Sequence, residues 1–361
     1  MNGVKNSTPC LTLLSQVLLQ SLGSADRELN DAAALPGTEQ LTEIRSLAHS
    51  HHVILRAFPM LQRMAAEQND SFLVDWVAIE LEREQERIHR ALSCLQPICE
   101  ALAAAGKVVV IKSLDHWPDL GSDLDLFTNA QASEVVTRMK RHFDVKLAQR
   151  SWGDRLANKW NFMVPELPEL VEVHVGRLGQ TGEQLAITDS LMAHARPAEF
   201  DGYTFPVAAP EDRLVISTLQ RMYRHFYIRL GDIVDNAQLI ENGAVDFMRL
   251  RSLARSAGLW DGLATYLAII SDYVELYRGR PLDLPAMVTS AARFGGDEVF
   301  FRRNFIRIPL LPHSANLYAS ELTRLFLNGE IANTLRLSLL PGLAAAAAIE
   351  LKLTGSDKGI W

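Results

Sequence analysis

Apolar positions recur at three- and four-residue intervals over most of the chain and switch to strict alternation only near its middle. The first hundred residues carry helical stripes: Leu11, Leu14, Val17, Leu18 and Leu22, then Leu41, Ile44, Leu47 and Ala48, continuing through Ile54, Leu55, Phe58 and Leu61. Pro59 is expected to split that second stretch into two helices, because proline lacks the N–H an interior turn needs. A third stripe over 72–105 includes Trp76, Ile88, Leu92, Leu95, Ile98 and Leu102, and Pro97 should kink or divide it. At Lys107 the period changes. Residues 108–111 form an apolar β-type run, Pro118 and Gly121 mark a turn, and 122–127 alternate polar with apolar, the mark of a half-buried strand. Residues 132–142 read as a helix and 143–148 as a short strand. Residues 160–164 and 170–175 read as two more strands, antiparallel neighbours across the loop 165–168. After Pro210 the helical spacing returns, through Val215, Leu219, Met222, Phe226, Leu230, Ile233, Ala237 and Ile240. It continues to about 353, with breaks at 279–281, 295–296 and 309–312.

This pattern predicts an α+β fold, a small mixed β-sheet core flanked by N-terminal and C-terminal helical regions. The expected division is 1–106, 107–209 and 210–361. Acids at Glu211 and Asp212 suit a helix start after Pro210. Residues 337–349 are nearly uncharged but short for a membrane span of about 20 residues, and Pro341 and Gly342 interrupt them. They read as a buried helix, with an interfacial helix as the alternative. No transmembrane segment or signal peptide is expected.

Composition adds little beyond an ordinary globular protein. A net charge of −7 argues against a dedicated nucleic-acid binder, whose surface is usually basic. Three cysteines, Cys10, Cys94 and Cys99, with no framework spacing, point to a reducing compartment, hence a cytoplasmic location.

The alternation places chemistry on particular faces. Asp123 and Asp125 fall on one face of their strand, with Leu124 and Leu126 on the other. Two carboxylates one pleat apart repel unless a cation lies between them, and hard divalent ions such as magnesium favour oxygen donors. The alternative is a loop acid followed by a solvent-facing strand acid. In the strand 170–175, Glu172 and His174 share a face while Val171, Val173 and Val175 take the other. Arg221, His225, Arg229 and Asp232 form a polar stripe that is either a solvated face with local ion pairs or the lining of a cleft for an anionic substrate.

Taken together, Lys112-Ser113, Asp123-Leu124-Asp125, Glu172-Val173-His174, Pro210-Glu211-Asp212, His225 and the run 229–233 (RLGDI) resemble the nucleotidyltransferase superfamily with the polymerase-β-like fold. The resemblance is closest to the bacterial uncharacterised nucleotidyltransferase group. Ser113 and the nine residues before Asp123 fit the family's spacer, whereas Lys112 stands where the superfamily has glycine. The resemblance implies an enzyme that moves a nucleoside monophosphate from a nucleoside triphosphate (NTP) to a small-molecule acceptor, with Mg2+ or Mn2+ as cofactor. Asp123, Asp125 and Glu172 would be the metal ligands and catalytic residues, Glu172 also taking the acceptor's proton. Lys112, Ser113, Ser122, His174 and Arg229 would meet the nucleotide or support the site, with Lys159 and Arg177 as weaker cationic candidates. The alternative is a catalytically inactive nucleotidyltransferase-like scaffold serving as a binding or regulatory module. A phosphohydrolase is disfavoured because the extra His and Asp clusters such sites use are missing.

Overall fold

The computed structural model describes residues 4–20, 22 and 35–342. Helix α1 (Pro9–Gln20) is followed by α2 (Leu41–Ser50), α3 (Ile54–Glu67) and α4 (Ser71–Ala103). The Asp70 carboxylate caps α4 by accepting from the Leu73 N–H. The break between α2 and α3 falls at His51-His52-Val53, where His52 takes a left-handed φ of 54°, and not at the expected Pro59, which sits inside α3. Pro97 likewise leaves α4 undivided over 33 residues.

The sheet follows. Strands β1 (Val108–Val110) and β2 (Leu124–Thr128) precede α5 (Ala132–Phe143), β3 (Lys146–Leu147), α6 (Trp152–Leu156), β4 (Lys159–Met163) and β5 (Leu170–Val175). Then come α7 (Leu185–His194) and a hairpin of β6 (Arg196–Phe200) and β7 (Tyr203–Val207), both strands absent from the sequence expectation. The seven strands run in the order β3-β4-β5-β2-β1-β7-β6. The β2–β5 and β1–β7 pairs are parallel and the others antiparallel, so the sheet is mixed and the fold α+β as expected.

Alternation along the central strands serves two cores. Val108, Val110, Leu124, Leu126, Val171, Val173 and Val175 join one, with the later part of α4 and with α5. Val109, Ile111 and Phe127 join the other, with the N-terminal and C-terminal helices. All five residues of β2 are therefore buried, which corrects the half-buried strand expected from its polar alternation. The polar face is roofed by protein.

The roof is not one continuous helix either. α8 (Pro210–Thr218) runs into a π-type turn over Leu219–His225, Phe226 takes a left-handed φ of 55°, and β8 (Tyr227–Ile228) leads to α9 (Leu230–Glu241). The apolar seam read as one helix bends here because β8 is claimed by a second sheet. That sheet, ordered β8-β10-β9, contains strands the helical spacing hid. After α10 (Phe247–Ser256), α11 (Trp260–Arg278) and α12 (Ala286–Thr289) come β9 (Phe300–Arg302) and β10 (Phe305–Arg307), then α13 (Ala315–Leu327) and α14 (Ile331–Ser338). α11 ends as expected, on Gly279 with φ 81°. No helix among the described residues is long and apolar enough to cross a membrane. Most of the apolar segment 337–349, including the alanines at 344–348, lies outside the described residues.

Candidate metal centre

The site is built where β1 hands the chain to the turn before β2. Lys112 leaves the strand with φ 60°, a left-handed conformation that glycine adopts most easily. Ser113 follows, almost fully buried, and its hydroxyl clamps the next strand. It accepts from the Asp125 N–H at 2.7 Å and donates to the Asp123 carbonyl at 2.9 Å. The turn closes with the Gly121 N–H on the Ser113 carbonyl at 3.1 Å. This serine thus fixes the backbone that carries both aspartates, and its hydroxyl is committed to that work.

Parallel pairing then sets the chemistry. Asp125 lies opposite Glu172, and Phe127 opposite His174. Across the antiparallel neighbour, Lys159 lies opposite His174 and Asn161 opposite Glu172. The Lys112 ammonium pairs with Asp125 Oδ1 and stands 3.6 Å from Glu172 Oε1. Lys159 Nζ pairs with Glu172 Oε2 at 2.8 Å and with Asp154 Oδ1 at 2.9 Å. His174 Nε2 lies 2.9 Å from Glu172 Oε1 and 3.5 Å from Asp125 Oδ1, without hydrogen-bond alignment, and neither ring nitrogen has a hydrogen-bond partner among the described residues. Lys159 is therefore not a surface cation: it is buried, reached by strand pairing that its own sequence neighbours do not reveal. Asp154 is set by the Ser151–Asp154 capping box of α6, a spacing visible in the sequence.

The electrostatics separate the carboxyls. Burial pushes Glu172 up, but Lys112, the contact with His174, and Lys159 hold it well below the usual carboxylate range. Burial, the largest influence, would lower Lys159, but Glu172 and Asp154 together outweigh it and raise the ammonium. Asp123 has no ion pair among the described residues. Burial, Asp125 and Glu172 push it up to about 6, against the opposing pull of Lys112 and Lys159.

Asp125, Glu172 and His174 each offer a ligand atom, and these atoms lie within 4.8 Å of one another, so the group can hold a metal ion. The unpartnered nitrogens of the buried His174 ring fit such a role. The mixed oxygen and nitrogen donors suit zinc or manganese better than magnesium, which prefers oxygen alone. His174 thus joins the group from a position expected only to support it, while Asp123, expected as a ligand, stands outside it. Ser122 is exposed beside Asp123. Arg229 donates through Nη2 to the Tyr227 hydroxyl at 3.4 Å, and Arg177 through Nη1 to the Gly182 carbonyl at 3.3 Å.

The polar stripe beyond β8 is partly internal. Arg221 is buried and grips Asp232 with Nε at 2.7 Å and Nη2 at 2.9 Å. A cavity of about 20 Å³, bordered by Lys112, His116, Arg221, Asp232 and Asp235, lies behind the acid group, with room for one water. His116 pairs with Asp235, which also binds Arg56, and Arg56 reaches Asp119. Sequence spacing offered no sign of this network, because its members come from three distant segments, at 56, 116–119 and 235.

Compared with protein-family models, with curated proteins and with solved structures, the chain matches none.

Proposed function

We propose that the protein is a metal-dependent nucleotidyltransferase that moves a nucleoside monophosphate from a nucleoside triphosphate to a small-molecule acceptor. The observation that carries this reading is the pairing of Asp125 with Glu172 across parallel strands, with Asp123 one pleat earlier beside a serine-clamped turn. Asp125, Glu172 and His174 would hold the cation. Such a cation supplies charge neutralisation at the phosphates of the nucleotide.

The chain's own residues have separable tasks in this reading. Ser113 fixes the height of Asp125 in the sheet. Lys159 orients Glu172 from the neighbouring strand. The Lys112 ammonium compensates Asp125 and Glu172 while no cation is bound, then turns to the triphosphate. Asp123, partly exposed and without an ion pair among the described residues, would accept the acceptor's proton. Glu172, first expected in that role, has Oε2 held by Lys159 and Oε1 beside the Lys112 ammonium.

Isothermal titration of ATP, GTP, CTP and UTP with manganese tests the reading. Wild type should bind at least one nucleotide clearly more tightly with the metal than in EDTA, and Asp125→Asn should lose that gain. A wild type indifferent to metal with all four sinks the proposal. One observation favours the second reading, an inactive binding or regulatory module: an ammonium already stands between the two carboxylates. On that reading manganese would not raise the melting temperature, whereas a working centre gains stability by linkage.

A further inference from the structure

The three-stranded sheet gathers cations that the acid group does not use. Tyr227 of β8 pairs with Arg307 of β10, and its ring stacks on Phe305 with centroids 4.1 Å apart. Three guanidinium carbons converge on the Tyr227 ring, Arg307 at 5.1 Å, Arg221 at 5.5 Å and Arg229 at 5.6 Å. Arg221 is neutralised by Asp232. Arg229 and Arg307 form no ion pair with a carboxylate among the described residues, and the buried Nε of Arg229 has no hydrogen-bond partner. Arg224 nearby is also without an ion pair among the described residues, as are Arg302 and Arg303 on the β9–β10 hairpin.

In a chain of net charge −7 this is a local excess of positive charge. It is also costly: Arg229 donates to the Tyr227 hydroxyl and Arg307 to the Arg302 carbonyl, and both lie on the Tyr227 ring, but no carboxylate among the described residues offsets the hydration their charges lose. The neighbouring His225 feels it, held well below its ordinary range by burial and then by Arg224, Arg221, Arg229 and Lys112. Planar guanidiniums fixed on an aromatic ring present paired donors with little rotamer freedom left to lose. That matches the oxygens of a phosphate better than any neutral ligand.

We propose that Arg229 and Arg307, converging on Tyr227, form a binding subsite for a phosphate group of a small-molecule ligand. The subsite uses no residue of the acid group and stands whether or not nucleotidyl transfer is the reaction. Two sources share this chemistry: the triphosphate tail of a nucleotide, and a phosphorylated acceptor.

The test is isothermal titration of inorganic tripolyphosphate into the full chain, in EDTA. Wild type should bind saturably. The Arg229→Ala, Arg307→Ala double variant should bind about tenfold more weakly or worse, the loss expected for one charge-assisted hydrogen bond or more, with its circular dichroism unchanged. Should the double variant fail to fold, Arg307→Gln on the hairpin alone should weaken binding about threefold. The manganese-induced melting shift, read on the same folded variants, should persist, which separates failure of the subsite from failure of the metal centre. Ribose 5-phosphate that binds in saturating ATP assigns the subsite to an acceptor; displacement by ATP assigns it to the triphosphate tail. Either supports the proposal. No saturable binding by wild type, or undiminished binding by a folded variant, overturns it. So does a single-stranded oligonucleotide bound more tightly than tripolyphosphate.

Discussion

Asp125 and Glu172 face each other across a parallel strand pair, and the ammonium of Lys112 stands between their carboxylates. A divalent ion seeking Asp125 and Glu172 must displace that ammonium. Lys112→Gly should therefore bind manganese about tenfold more tightly, since one competing cation is gone. Glycine also relieves the left-handed backbone at this position, worth about 1 kcal/mol. The metal-free variant should nonetheless be less stable than wild type, because leaving buried carboxylates short of a partner costs about 3–5 kcal/mol. Titration calorimetry and urea melts with and without manganese read the two effects separately.

Ser113 offers a cleaner probe of how the site is held. Its hydroxyl is the bond partner of the buried Asp125 N–H and of the part-buried Asp123 carbonyl. Ser113→Ala should cost about 1–3 kcal/mol, the price of orphaning buried polar groups. Metal affinity should fall with it, because Asp125 loses the anchor that sets its position. A variant as stable as wild type in urea would show that the turn is held by other means.

Much of the centre could be read from residue order. Alternation placed Asp125, Glu172 and His174 on faces that do meet, and the β4–β5 pairing was visible in two apolar runs joined by a short loop. What stayed hidden has a common cause. Lys159 is drawn in by register with His174, a relation between strands that no local window contains. The β6–β7 hairpin and the second sheet have too few apolar residues in alternation to stand out, and β8 sits inside a run whose spacing mimics a helix until Phe226 turns left-handed. Pro59 and Pro97 misled in the other direction, since packing on α3 and α4 outweighs the one backbone bond each proline removes.

The buried pair of Arg221 and Asp232 should behave as a unit. Arg221→Met leaves a carboxylate uncompensated in the interior and should cost about 3–5 kcal/mol. Asp232→Asn should cost a similar amount, with part of it from the weakened acceptor for the Arg229 N–H at the start of α9. In a double-mutant cycle the combined variant should lose clearly less than the sum of the two. Strict additivity in denaturant melts would show that the two side chains do not share their energy.

Stability should also depend on pH through the contact between α7 and α13. Glu321 is buried, accepts from Gln184 Nε2 at 2.6 Å, and is pushed well above the usual glutamate range, first by burial and then by Glu183. Burial pushes Glu183 up as well. A carboxyl with a raised folded value keeps its proton while the unfolded chain loses one. Its contribution is full below the ordinary value near 4.5 and is lost as pH rises through the folded value. Relative to Glu321→Gln, which keeps the bond from Gln184, wild type should therefore lose melting temperature progressively from pH 5 to pH 8, while the buried His51, His52 and His225, held low in the fold, act alike in both proteins. Melting curves of both proteins across that range decide it.

The 33-residue helix α4 gives its first turns, through Leu73 and Val77, to one core, and its later turns, from Ile88 to Leu102, to the other. It works as a tie-beam between two storeys. Neither storey can loosen while the beam is seated in its neighbour, so the sheet carrying the acids is braced from end to end. A chain cut at residue 107 would keep every acid of the centre and lose the timber that holds them level.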